Sequence, residues 1–91
     1  MTGIPGTIDA IRDRLAPLEP QDVHIVDESA RHAGHAGARS GGGHYLLTVV
    51  SHKFMGQSAL ARHRMVYGLL REMLHGDIHA LSVKAYTPEE I

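Results

Sequence analysis

The stretch that most constrains the fold is residues 51–76, SHKFMGQSALARHRMVYGLLREMLHG, because it holds the longest consistent pattern in the chain. Apolar side chains recur within it at helical spacing, at Leu60, Val66, Tyr67, Leu70, Met73 and Leu74. Ser58 suits the N-cap, because its hydroxyl can accept a hydrogen bond from an otherwise unpaired backbone N–H. Gly76 suits the left-handed residue that ends many helices. The stretch therefore predicts a turn at residues 54–56 and a helix from Ser58 to Gly76.

The predicted helix has two faces of different character. With a rotation of about 100° per residue, His63 falls in the middle of the apolar stripe, which predicts a buried core histidine. Arg64, Arg71 and His75 fall on the opposite side, with Arg62 at the margin. The rest of the chain must therefore cover the apolar face and leave a basic face in water.

The remaining segments predict a small α+β domain. Thr7 is a plausible N-cap for a first helix, which Pro17 and Pro20 would end. Short runs rich in β-branched residues predict three strands, at residues 22–28, 44–51 and 79–86. In the last strand Leu81, Val83 and Ala85 share one face by period two, and His79 begins that row. The residues Thr87-Pro88-Glu89-Glu90 are typical of a helix start. The predicted order is α-β-β-α-β, with helices on one face of a small sheet.

The chain divides into a flexible N-terminus at residues 1–6 and a single domain at residues 7–91. Within the domain, residues 29–43 hold five of the ten glycines together with His32 and His35. A connection of this length without structure is usually functional or disordered. The pattern predicts a long loop between the first two strands.

Composition excludes some functions and favours others. The 91 residues include eight histidines and no cysteine, so the chain offers imidazole ligands but no thiolate. The formal net charge is −1, so nucleic-acid binding would require a local basic patch. No signal peptide or membrane span is visible, which predicts a cytoplasmic protein. We expect a monomer or a weak homodimer.

Several blocks of the sequence resemble the BolA family, in that family's order. They extend from residue 26 to residue 90: VDES at 26–29 followed by His32, HY at 44–45, VVSHKFMGQS at 49–58, RHRMVY at 62–67 and HALSVKAYTPEE at 79–90. RHRMVY preceded by the F-x-G-x-S turn is the most specific part. The fold implied by the resemblance is a small KH-like (class II) domain with a three-stranded mixed sheet.

The resemblance also implies a function and a set of ligands. Family members bind monothiol glutaredoxins, share a bridging [2Fe–2S] cluster with them, and take part in iron–sulfur cluster trafficking or iron sensing. The family's two ligands correspond here to His32, in the loop, and His79, at the start of the last strand. His35 and His44 are alternates for the loop ligand. Two histidines on one iron resemble a Rieske centre. A partner cysteine and glutathione would supply the thiolates, so no cluster is expected in the isolated chain.

Three other interpretations stay open. Some family members are described as DNA-binding transcriptional regulators, and a basic set could contact phosphates here: Lys53, Arg62, Arg64 and Arg71. The turn reads Gly56-Gln57-Ser58-Ala59, so it lacks the second glycine of the GXXG loop with which KH domains clamp nucleic acid. A zinc or nickel site formed by the loop histidines and His79 is the second. An enzyme is the third, and we predict against it because no nucleophile, base and acid occur at telling spacing.

Overall fold

The computed structural model describes residues 6–28 and 43–91, and the elements follow the predicted α-β-β-α-β order. Its helices and strands are α1 (Thr7–Arg14), β1 (Asp22–Asp27), β2 (Gly43–Val50), α2 (Ala59–Leu69) and β3 (Ile78–Tyr86). Short 3₁₀ turns follow several of them, at Ala16–Leu18, His52–Phe54, Met73–His75 and Pro88–Glu90. The N-cap of α1 is Gly6, one residue before the predicted Thr7. The predicted flexible residues 1–5 and loop residues 29–42 lie outside the described residues.

The three strands form a mixed sheet in the order β1-β2-β3. β1 pairs antiparallel with β2, and β2 pairs parallel with β3. A parallel pair requires a crossover connection, and α2 supplies it. The mixed sheet implied by the family resemblance is therefore confirmed.

The core lies between one face of this sheet and the two helices. Alternate residues of the central strand point into it, and Tyr45, Leu47 and Val49 are buried. The helices and the segments that follow them contribute the other side of the core, at Ile11, Leu15, Leu18, Val66, Leu70 and Met73. The opposite face of the sheet is more exposed, with His24 and Val26 on β1 and Ser82 and Lys84 on β3. The prediction of helices on one face is thus confirmed.

The turn before α2 explains the F-x-G-x-S pattern residue by residue. Phe54 is fully buried, and its carbonyl accepts a 3.0 Å hydrogen bond from the N–H of Gln57. Met55 lies at φ −57° and ψ 131°, and Gly56 lies at φ 76°, which together make a type II turn. Ser58 then caps α2 by accepting a 3.0 Å bond from the N–H of Ala61, as predicted.

Ser51, just before this turn, connects three parts of the fold. Its side chain is fully buried, and its Oγ donates a 2.5 Å hydrogen bond to the Leu18 carbonyl, after α1. The same Oγ accepts a 3.0 Å bond from the N–H of Lys53. Its backbone N–H donates to the Tyr86 carbonyl at the end of β3. A buried hydroxyl is costly without partners, and here each of its hydrogen-bonding functions is used.

The predicted end of the second helix was wrong. α2 stops at Leu69, where the N–H of Leu70 is shared between the Val66 and Tyr67 carbonyls at 3.2 Å each. The chain then tightens into a turn and a 3₁₀ segment, which buries both Leu70 and Met73. Gly76 caps that segment at φ −149°, so it is not the predicted left-handed residue. Burial of two apolar side chains after Leu69 takes precedence over continuation of the helix.

The predicted core histidine was also wrong. His63 is exposed, as are Leu60 and Tyr67 from the same predicted stripe. α2 contacts the sheet along a narrower line, through Val66 and Leu70, and the side of the helix carrying His63 and Tyr67 lies beside the outer edge of β3. A helical wheel gives the direction of a side chain but not the width of the surface that covers it.

Arg62 links the turn, the edge of β3 and the C-terminal 3₁₀ segment. Its side chain is 13% exposed and stands 5.9 Å from the centre of the Phe54 ring. Its guanidinium donates to the Gln57 carbonyl at 2.9 Å and forms a two-bond pair with the Glu90 carboxylate at 2.7 and 3.0 Å. Glu90 also accepts from the Thr87 N–H in a capping box, which confirms the predicted helix start.

The type II turn predicts the cost of a side chain at Gly56. Gly56→Ala should destabilise the fold by ~1–2 kcal/mol, because an L-residue resists the left-handed region. No atom lies within 4 Å of an added Cβ, so strain alone would act. Gly68→Ala is the matched control, because an added Cβ at Gly68 also meets no atom within 4 Å, but Gly68 lies inside α2. In a helix, alanine in place of glycine should raise the free energy of unfolding by about 0.5–1 kcal/mol. Urea unfolding of both variants checks the prediction, and equal effects of the same sign would contradict it.

The pair between Arg62 and Glu90 predicts a pH dependence of stability. The Arg62 hydrogen bond, helped by the Thr87 N–H, lowers the pKa of the Glu90 carboxyl from 4.5 to about 2. Because the folded pKa is below the unfolded one, the stabilisation is full above pH 4.5 and is lost as the pH falls towards 2. The gap in melting temperature between the wild type and Glu90→Gln should therefore narrow over that window. Glu89→Gln is the control, and an equal narrowing in both variants would contradict the assignment.

Candidate histidine site and basic surface

A bulge at the start of β3 determines where His79 points. Gly43 of β2 pairs with Ile78, but the next residue, His44, pairs with Ala80, so His79 is the extra residue of β3. The alternation is therefore interrupted, with Ile78 buried and His79 exposed. The prediction that His79 begins the row of Leu81 was wrong, because a bulge shifts the phase of the side chains by one residue.

This bulge brings His79 next to His44. The centres of the two imidazole rings are 5.1 Å apart, and their planes are inclined by 36°. His44 is the second residue of β2 and is half-buried, whereas His79 is exposed on the neighbouring strand. Parallel pairing with the bulge therefore places two imidazoles, 35 residues apart in sequence, within reach of a common ligand.

The other predicted ligands lie outside the described residues. These are His32, which the sequence favoured, and its alternate His35. Within residues 6–28 and 43–91, no group of three or more histidine, aspartate or glutamate side chains could hold a metal ion. The described part of the chain thus offers a pair of nitrogen ligands, and further ligands would have to come from elsewhere.

The four predicted phosphate-binding residues have different surroundings. The Arg62 guanidinium donates its hydrogen bonds to acceptors within the protein. Lys53 Nζ lies 3.6 Å from the Glu19 carboxylate. Arg64 and Arg71 are exposed and have no hydrogen-bonding or ion-pair partner in the described part of the chain. With Tyr67, Gly68 and Leu74, these two arginines line a shallow depression of about 390 Å³. The candidate anion-binding surface therefore narrows to Arg64 and Arg71.

Sequence reasoning missed a series of hydrogen bonds that we call the edge ladder. Three α2 side chains each bond a backbone carbonyl of β3: Arg62 Nη1 to Ala85 at 3.0 Å, His63 Nε2 to Val83 at 3.1 Å, and Tyr67 Oη to Leu81 at 2.9 Å. A carbonyl only accepts, so Nε2 of His63 must carry the proton. The signal was the RHRMVY block, in which Arg62 lies at the margin of the apolar stripe while His63 and Tyr67 carry polar atoms within it.

None of the described helices is long and apolar enough to span a membrane.

Comparisons with known proteins agree with this architecture. A family model described as BolA-like protein matches residues 15–90. SufE-like protein 1, chloroplastic/mitochondrial, of Arabidopsis thaliana is 41% identical over 87 residues, which are 89% of this chain; the chain spans only 24% of that protein's length. The DNA-binding transcriptional regulator BolA of Escherichia coli is 40% identical over 85 residues, covering 88% of this chain and 78% of that protein.

A solved structure shows the same fold. BolA1 from Arabidopsis thaliana superimposes with a TM-score of 0.83 at 38% identity, covering 98% of this chain and 99% of that one. The family model, the sequence relatives and the fold therefore lead to one conclusion: the chain belongs to the BolA family.

Proposed function

We propose that this protein is an adaptor that binds a monothiol glutaredoxin and co-ligates a bridging [2Fe–2S] cluster with it. Its role would be cluster trafficking or iron sensing in the cytoplasm, without catalysis by the chain itself. The observation that supports the proposal most directly is the His44–His79 pair. The cluster is treated as cargo shared by two proteins.

The chemistry of the pair suits one iron of such a cluster. Neutral imidazoles are iron ligands, and two of them replace two cysteines on one iron of a Rieske centre. The chain has no cysteine, so thiolates for the other iron must come from a partner cysteine and from glutathione. The protein by itself thus supplies half of a ligand set, which is the property expected of an adaptor.

The ring contact makes His44 our first choice for the ligand that accompanies His79. His44 lies on a paired strand, so a ligand there would be held with little loss of conformational entropy. His32 and His35 are the alternatives, and direct substitution separates the three.

His79→Ala should abolish the nitrogen-ligated spectrum of the complex while leaving the fold intact. The protein is mixed with a monothiol glutaredoxin, glutathione, iron and sulfide, and visible absorption and circular dichroism are recorded against the glutaredoxin alone. His24→Ala is the matched control, because His24 is exposed on β1. We expect His44→Ala to match His79→Ala, and His32→Ala and His35→Ala to retain the spectrum. An unchanged spectrum in His79→Ala would refute the proposal, and loss in a loop variant alone would move the second ligand into the loop.

A second candidate function is DNA binding, which is in the name of the Escherichia coli relative. It is favoured by Arg64 of α2 and by Arg71 just after the helix, which are both exposed and have no carboxylate partner in the described residues. Two such groups can neutralise phosphates locally, although the formal net charge of the whole chain is −1.

If this second function is correct, Arg64→Ala should weaken DNA binding about equally on all sequences. The slope of log affinity against log salt should flatten by about one unit, because one phosphate contact is lost. Lys84→Ala is the control, since it removes one exposed positive charge from the far face of the sheet. Fluorescence anisotropy at several salt concentrations gives both slopes. A loss confined to one DNA sequence, or an equal effect of the control, would contradict a phosphate role for Arg64.

A further inference from the structure

The outer edge of β3 carries a set of carbonyls that all point away from β2. Leu81, Val83 and Ala85 are alternate residues, so their backbone groups face the same side of the strand. Tyr86 belongs to the other set of alternate residues, and its backbone carbonyl accepts a hydrogen bond from the N–H of Ser51 on the side that faces β2. The edge ladder therefore meets the strand on its unpaired side, and it uses one carbonyl at each of the three positions.

In a strand the N–H and the C=O of one residue point to the same side, so the N–H groups of these three residues also face away from β2. Within the described residues they donate to no backbone carbonyl outside the sheet. An edge with free donors and acceptors is a template for another strand. Here the donors are available and the acceptors are occupied. A strand that approached this edge would find only half of the hydrogen bonds that a ladder requires.

We infer that the edge ladder holds β3 closed against pairing with β3 of a second copy of this chain. β3 is the longest strand of the sheet, at nine residues, and it lies at the edge. Antiparallel self-pairing about a two-fold axis at Val83 would set Leu81 opposite Ala85 and Val83 opposite itself. Each of these pairs needs the carbonyls that the ladder occupies.

The side chains of β3 favour such a pairing once the edge is open. In the same register Lys84 would lie opposite Ser82 of the second copy, so the two lysines would not face each other. Leu81, Val83 and Ala85 are apolar and lie on the core side. Nothing in the strand sequence repels a second copy, and the protection must come from α2.

The ladder also blocks the edge sterically. The rings of His63 and Tyr67 stack with their centres 6.1 Å apart and their planes within 13°. Both side chains are exposed, so they stand in solvent alongside the strand and do not form part of the core. An incoming strand must displace these two rings as well as break their bonds.

The test is self-association of the double variant His63→Ala/Tyr67→Ala. It should form a dimer at a concentration at least tenfold lower than the wild type in sedimentation equilibrium. Hydrogen exchange at the amides of Leu81, Val83 and Ala85 should become slower as the concentration rises. The matched control is Leu60→Ala, which shortens an exposed side chain of α2 outside the ladder and should behave like the wild type.

A second variant keeps the inference testable if the double variant unfolds. Tyr67→Phe deletes one hydroxyl of an exposed side chain, and it should give a smaller increase in dimer with exchange protection centred on Leu81. Circular dichroism verifies that each variant is folded. The inference is overturned if folded ladder variants associate no more than the wild type, or if they associate without protection in β3.

Discussion

The parallel pairing of β2 with β3 is the constraint on which the rest of the structure depends. Two parallel neighbours cannot be joined by a tight turn, so the chain must cross from one end of the sheet to the other. Residues 51–77 are that crossover, and they carry the type II turn and α2. The same pairing sets the register that contains the bulge at His79. The core and the histidine pair both follow from this contact.

α2 has a packing role and a polar role, and the two are separated along its surface. Val66 and Leu70 bury against the sheet, while Arg62, His63 and Tyr67 reach the outer carbonyls of β3. Edge strands expose unpaired backbone groups, and natural sheets usually protect them. Here side chains of the crossover helix provide the protection. The RHRMVY block is thus explained by structure before any ligand is considered.

The proposed adaptor role rests on a different part of the molecule. His44 and His79 lie at the end of the sheet where β2 and β3 begin. The edge ladder lies along β3 and α2, and the depression lined by Arg64 and Arg71 adjoins it at Tyr67. A cluster partner would therefore approach a different surface from a second copy or an anionic partner. Variants of the histidine pair can therefore be interpreted independently of variants at the ladder and the two arginines.

Much of the fold could be predicted from the sequence because its signals are local. Ser58 as a cap, Gly56 in a turn and the alternation of Leu81, Val83 and Ala85 in β3 each depend on a few neighbouring residues and on backbone sterics. The absence of cysteine likewise determined that this chain alone cannot supply thiolates to a cluster. Only the tertiary structure decided that His79 points towards His44, that His63 lies at an exposed edge, and that Arg62 is held by Glu90. Those outcomes depend on the register between strands and on the width of the helix–sheet contact, and periodicity along one segment contains neither.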